Sequence, residues 1–343
     1  MKKKIAIIGA GIAGLTIANL MKINSDFEFM IYEKEESLTL DEGFGIQLAV
    51  NSISILNKIG FDRIQSEKIY HPQKINFYSI TNDKICDLEI SIFNNQNIKY
   101  TTLQRSTLIE FLKNKIYAQH LRFGKRIKKV SELKNKILIN FDDNTNDLVD
   151  YVIAADGIFS NTRSFFEKDM NKPQFKNAIA IRTILKSKHN FSVDEKNVNL
   201  IMGSNTHLVI YPINNKKELN LVCIVRENKF DPDNIKNLLN KKVFYLGDAF
   251  HGFLPTMAQG ASQSIEGAYE LFNLLKEDNE KMHNIYFKNR LRKVKSIKKR
   301  SDFNFFAFHI SNPLIKKIRN KILKRLVKSE IFINNYLGEI HKN

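Results

Sequence analysis

Apolar residues run unbroken from Ile5 to Ile8, pass into Gly9-Ala10-Gly11-Ile12-Ala13-Gly14, and resume from Leu15 to Met21 at helix-compatible spacing. That order predicts a short buried strand, a glycine turn and a helix. A second strand is predicted over Phe27 to Tyr32, closing on Glu33 and Lys34. The strand-then-turn pattern recurs twice. Tyr151 to Ala155 lead into Asp156-Gly157 and a Ser160-Asn161-Thr162-Arg163 helix start. Val243 to Leu246 lead into Gly247-Asp248, His251, Pro255 and Gly260-Ala261-Ser262, with a helix predicted from Gln263 to Leu275. His207 to Pro212 and Leu219 to Cys223 read as a hairpin, on which His207 and Tyr211 share a face because side chains alternate along a strand. Arg182 closes a further strand-like run that begins at Ala178. Near the end, Leu314, Ile315, Ile318, Ile322 and Leu326 fall at helical spacing among six lysines and arginines, which predicts an amphipathic basic helix.

The chain has 343 residues, enough for about two domains and a sizeable core. Its 43% hydrophobic and 26% charged residues exclude a disordered or collagen-like chain. Cys86 and Cys223 form no C-x-x-C, so neither a disulfide framework nor a thiolate metal site is expected, and a reducing cytoplasm fits best. His251 follows Asp248 too closely to imply a metal, and no metal site is expected elsewhere. The formal net charge of +18 favours anionic partners such as nucleotides, phosphates or acidic membrane surfaces. Most of the excess is C-terminal, with 17 basic residues against four acidic ones between Lys276 and Lys328. No apolar run reaches the roughly 18 residues of a membrane span. The first four residues and the apolar stretch after them imitate a secretory signal, but the glycine spacing argues for a nucleotide loop.

In that loop Gly9 would permit the tight turn, Gly11 would let the backbone approach a pyrophosphate, and Gly14 would let helix and strand pack closely. The helix N-terminus would then face a phosphate. Glu33, 19 residues beyond Gly14, is placed to accept hydrogen bonds from both ribose hydroxyls and to repel a 2′-phosphate. Strand, helix and acid agree on a dinucleotide, but the loop alone does not separate FAD from NAD. Ten of the 14 glycines fall in four short stretches, around positions 9, 43, 157 and 247 to 267, which mark the candidate ligand loops.

Taken in order, these segments resemble the class A FAD-dependent monooxygenases, single-component aromatic hydroxylases with the p-hydroxybenzoate hydroxylase fold, in their salicylate hydroxylase-like branch. The resemblance runs from Lys4 to about Leu275. It implies that Gly9, Gly11, Ile12, Ala13, Gly14, Glu33 and Lys34 bind the ADP half of FAD. Asp156 and Gly157 would serve both FAD and NAD(P)H, and Asp248 would hold the ribityl chain. Gly43-Phe44-Gly45-Ile46-Gln47 is similar to the segment beside the flavin, and Arg105 to a cofactor-contacting arginine, although a surface helix arginine fits Arg105 as well. Gly260, Ala261 and Ser262 at a helix start, with Pro255 before them, would place backbone N–H groups near the isoalloxazine to stabilise an anionic reduced flavin.

The implied fold is α/β: a Rossmann-like, GR2-type FAD domain over 1–70, 98–170 and 243–290, with an α+β substrate domain over 71–97 and 171–242 and a basic C-terminal helical region over 291–343. The implied reaction is hydroxylation of an aromatic or quinone-like small molecule with NAD(P)H and O2. Flavin takes a hydride from NADH or NADPH, a transient co-substrate, forms a C4a-hydroperoxide and passes one oxygen to the ring. His207 or Tyr211 would deprotonate or orient a phenol, and Arg182 would approach the flavin or a carboxylate. A satisfied strand histidine accounts for His207 equally, and a surface cation for Arg182. The chain departs from the family pattern in the short stretch from Arg226 to Lys242, in Phe250 and Gly252 around His251, and in Gly267 after Glu266. Those departures bear on substrate identity more than on flavin. Two alternatives stand beside hydroxylation: a related flavin oxidoreductase without oxygen insertion, and a flavin-binding protein with a degenerate substrate domain.

For the basic helix at 313 to 328 the sequence leaves two readings: a terminal helix docked on the substrate domain with a solvated cationic face, or peripheral contact with an anionic inner membrane face. Nucleic acid is not an expected partner, because no recognition module accompanies the charge.

Overall fold

The computed structural model describes residues 2–23, 26–38, 43–133, 135–166, 178–186, 193–226, 242–252, 254–277 and 281–338. The shortened stretch between Arg226 and Lys242 therefore lies almost wholly outside the described residues.

Five parallel strands, in the order β17 (Val243–Tyr245), β12 (Tyr151–Ala154), β1 (Lys3–Ile8), β2 (Phe27–Tyr32) and β8 (Leu121–Arg122), form the first sheet. The apolar run of β1 follows from burial on both faces, as parallel strands demand. Ile5 and Ile7 face a core shared with Leu15 and Ile17 of α1 (Ile12–Ile23) and with Ile265 and Leu271 of α5 (Gly260–Glu277). Ala6 and Ile8 face the other way, onto an antiparallel meander of β9 (Ile127–Leu133), β10 (Lys136–Phe141) and β11 (Asn146–Val149).

A six-stranded mixed sheet stands beside this unit, in the order β13 (Ala178–Lys186), β16 (Glu218–Arg226), β15 (Thr206–Ile213), β14 (Val198–Met202), β5 (Lys74–Ser79) and β6 (Lys84–Glu89). The hairpin read from the sequence is β15 and β16, with Tyr211 opposite Asn220. A small antiparallel sheet of β3 (Gly45–Leu48), β7 (Thr101–Gln104) and β4 (Ile69–Tyr70) joins the two units. Across that joint the Thr102 hydroxyl donates to the Pro212 carbonyl at 2.5 Å, and the Gly45 N–H to Asn220 Oδ1 at 2.6 Å.

Helices α2 (Val50–Asn57), α3 (Arg105–Lys113) and the short α4 (Asn161–Phe166) follow β3, β7 and β12. The long α6 (Met282–Phe308) buries Met282, Tyr286, Arg290, Val294, Ile297 and Ser301, one stripe at three- and four-residue spacing. Its Tyr286 hydroxyl donates to the Tyr245 carbonyl at 3.0 Å, anchoring α6 to β17.

Asn312 caps α7 (Pro313–Leu326) by accepting from the Leu314 and Ile315 amides, and Pro313 occupies the first turn, where its missing N–H costs nothing. Leu323 and Val327 lean on the core beneath the six-stranded sheet, whereas Leu314, Ile315, Ile318 and Ile322 are exposed. The docked reading of this helix is therefore corrected in one respect: its solvated face is aliphatic as well as cationic, because the inward side is taken by Leu323 and Val327. A last turn, α8 (Glu330–Ile333), sets Ile333 into the same core. Among the described residues no helix is long and apolar enough to cross a membrane.

Candidate functional site

Three turns after parallel strands converge at one end of the first sheet. Gly9, at φ +103°, ends β1 and donates its N–H to the Tyr32 carbonyl at 2.8 Å. A β-carbon there would lie 2.5 Å from the Ala155 carbonyl oxygen, so the glycine loop and the Asp156 turn are in direct contact. Beside Gly11 and Gly260, by contrast, there is open space. The Gly247 turn completes the convergence, with the methyl of Ala13 and the Ser264 hydroxyl both within contact distance of where a β-carbon would stand.

Glu33 emerges from β2 beside the loop, where its carboxylate accepts from the Ala10 amide at 2.8 Å and from the Glu35 amide at 3.1 Å. Lys34 lies next to it in an exposed ion pair with Glu35. The Asp156 carboxylate accepts from the Thr162 N–H and hydroxyl at 3.0 and 2.9 Å and from the Ser160 hydroxyl, and so organises the start of α4. Asp248 is solvent-accessible yet walled by protein: burial pushes its carboxyl above the usual range, and the Arg105 charge pulls it back. Arg105 is thus both a solvent-exposed arginine and a neighbour of the Asp248 turn, 143 positions away in the chain.

The segment after Gly45 is locked to the start of α5. The Ala49 amide donates to Ser262 Oγ at 3.2 Å, and the Ser52 and Ser262 hydroxyls pair at 3.1 Å. Behind them the Asn51 side chain donates through Nδ2 to Glu266 at 2.8 Å, and Glu266 accepts from buried Arg290 at 3.0 Å. Burial alone would lower the Arg290 guanidinium, but Glu266, Tyr286 and Glu270 more than offset it and hold it above its ordinary value. Ser301 of α6 donates to the Leu254 carbonyl at 2.8 Å and accepts, through its own carbonyl, from Thr256 at 2.8 Å, which fixes the turn that carries Pro255.

On the six-stranded sheet, Tyr211 is buried against Gln47 and Asn220, within reach of the Arg182 charge. Burial pushes its phenol far above the ordinary value, and Arg182, Gln47 and Asn220 offset only part of that. Gln47 also accepts from the Tyr100 hydroxyl at 2.6 Å. His207 lies four residues back along β15, where its Nδ1 meets Nε2 of His309 at 2.8 Å and its ring packs on Phe308. Burial and the neighbouring His309 push His207 down to about 3. Arg182, Tyr211, Gly45 and Gln47 are thus brought together, while His207 is set against the end of α6. Asn220, Tyr100, Glu266 and Arg290 join these contacts from outside the candidate site residues read in the sequence. A charged residue on the buried stripe of α6 marks Arg290; Asn220, flanked by leucines on a strand, carries no signal in the sequence.

No family model matches the chain. It is 24% identical over 368 residues to 3-amino-4-hydroxybenzoate 2-monooxygenase PtnB3 of Streptomyces platensis, covering 93% of this chain and 92% of that protein. Its fold is similar to a Klebsiella pneumoniae HpxO variant complexed with FAD, with a TM-score of 0.82, 15% identity and 98% of each chain covered. It is likewise similar to a salicylate hydroxylase substrate complex, with a TM-score of 0.81, 18% identity, and 99% of this chain and 95% of that one covered. The expected α/β fold and the resemblance to FAD-dependent monooxygenases are borne out by these likenesses.

Proposed function

We infer that the chain is an FAD-dependent monooxygenase of the class A type, hydroxylating an aromatic or quinone-like small molecule with NAD(P)H and O2. The observation that carries this reading is the meeting of the Gly9, Asp156 and Gly247 turns, with Glu33 hydrogen-bonded to the first and the Arg105 charge close to Asp248 of the last. The residues present suit FAD: open space beside Gly11 and Gly260 admits phosphate and ring, and Glu33 matches ribose hydroxyls. Bound FAD would supply hydride acceptance and the activation of O2.

The chain's own residues do the rest. The α1 N-terminus and Gly11 to Gly14 hold the pyrophosphate, Arg105 adds positive charge, and Asp248 accepts from the ribityl hydroxyls. The N-terminus of α5, from Gly260 to Ser262, offers positive dipole to an electron-rich ring. Tyr211, kept neutral by burial, orients a substrate oxygen and does not remove its proton, and Arg182 attracts an anionic substituent. His207, hydrogen-bonded to His309, is given a structural role. The proposed division places the cofactor domain at 1–70, 98–170 and 243–290 and the substrate domain at 71–97 and 171–242.

A visible spectrum of the purified protein tests cofactor identity, and stopped-flow flavin reduction by NADH and NADPH across phenolic and N-heteroaromatic compounds tests reaction class. Product formed under ¹⁸O₂ is expected to gain one labelled oxygen. Ligand-stimulated NAD(P)H oxidation without label would leave a non-inserting flavin oxidoreductase, and flavin without turnover a degenerate binder.

A further inference from the structure

A surface helix normally buries its apolar stripe, and α7 does the opposite. Leu314, Ile318 and Ile322 recur every four residues along one side, with Ile315 beside them, and their exposures are 70%, 57%, 50% and 48%. Leu323, half a turn round from Leu314, packs inward with Val327. The helix is held in this roll: Arg319 Nη1 donates to the Ala307 carbonyl at 2.9 Å, and Lys316 Nζ to Ser204 Oγ at 3.0 Å. Around the outward stripe, Lys317, Lys321, Lys324, Arg325 and Lys328 are all exposed. No acidic residue stands between Asp302 and Glu330.

We propose that this outward face of α7 docks on an anionic lipid bilayer, its four aliphatic side chains entering the headgroup boundary and its flanking cations meeting lipid phosphates. A mixed aliphatic and cationic face without acids fits such an interface on both counts, with long basic side chains reaching headgroups while their stems lie along the acyl boundary. A second copy of the chain is a poor occupant, because each face would bring its own row of positive charge. The helix would lie on the membrane and not across it, in keeping with its 14 residues. The proposal does not depend on the flavin chemistry; it adds a place where a monooxygenase would meet a lipophilic substrate.

Vesicle sedimentation of the full-length, FAD-saturated protein tests it, using phosphatidylcholine alone and phosphatidylcholine mixed with phosphatidylglycerol. The protein is expected to pellet with the anionic vesicles and stay in solution with the neutral ones. The Ile318→Glu/Ile322→Glu and Lys321→Gln/Lys324→Gln variants are each expected to lose affinity by about tenfold or more. Both pairs are exposed, and an unchanged melting midpoint confirms that the variants fold. Equal recovery in the two supernatants overturns the proposal. Undiminished binding of the isoleucine variant overturns it too, since only diffuse charge attraction would remain.

Discussion

A β-carbon at position 14 would stand 2.0 Å from the Gly9 carbonyl oxygen, an overlap that only movement of the turn can relieve. Gly14→Ala is therefore expected to weaken FAD binding by about tenfold or more, read by titrating apoprotein and following flavin fluorescence; unchanged affinity would show that the turn does not hold the cofactor. Asp248 carries a different cost. Its carboxyl sits above the ordinary range, so the fold disfavours the charged form. The resulting deficit is absent below the ordinary carboxyl range and grows as the pH rises through it. Asp248→Asn should raise the melting midpoint of the apoprotein at neutral pH, with the gap closing below about pH 4, while FAD binds more weakly. A midpoint gap that does not narrow in acid would exclude this account.

Among the elements, α5 and α6 are joined by a charge that is 2% exposed, that of Arg290. Arg290 donates to Glu266, to Glu270 at 3.4 Å and to the Gln263 side chain at 2.8 Å, from inside a buried stripe that it shares with Tyr286, Val294 and Ile297. Arg290→Met would take the guanidinium from both carboxylates, leaving Glu266 its ion pair with Lys293 at 3.4 Å, with an expected loss of up to about 3 to 5 kcal/mol in urea denaturation. Arg290→Lys should recover little, because one ammonium cannot reproduce the guanidinium fork. A loss under about 1 kcal/mol for the methionine variant would mean that water reaches the carboxylates. The same network reaches Asn51 and lies one turn from Ser262, so the methionine variant is also expected to loosen the α5 start against the Gly45 segment.

At the scale of the whole molecule, the contacts that tie the six-stranded sheet to the rest include the Gly45–Asn220 joint and the His207–His309 contact. Burial pushes His207 to about 3 and His309 to about 4, with the nearby charge of Arg226 also lowering the latter. Burial, assisted by Arg290, takes His251 to about 3. All three are neutral in the fold and take up protons once unfolded. Their contribution is full above about pH 6.5 and is lost as the pH falls toward their folded values, at up to about 1.4 kcal/mol per pH unit for each imidazole. Urea midpoints should therefore drop between pH 7 and 5, less steeply in His309→Phe; a flat profile would contradict the burial of these rings.

The residue pattern by itself determined the local elements: β1 with its glycine turn and α1, the strand closing on Glu33, the turns at Asp156 and Asp248, the hairpin at His207 and the basic helix. Alternation, helical period and glycine are properties of neighbouring residues, so they are legible without the fold. Tertiary packing decided the rest. Arg105 meets the field of Asp248, Asn220 meets Gly45, and Arg290 finds Glu266, through contacts whose partners lie far apart in the chain. Which side of α7 faces out was likewise undetermined by its spacing, since either an apolar stripe or Leu323 and Val327 could have turned inward. Burial and register arise only when sheets and helices close on one another, and they set the partner of His207 and the exposure of Ile318.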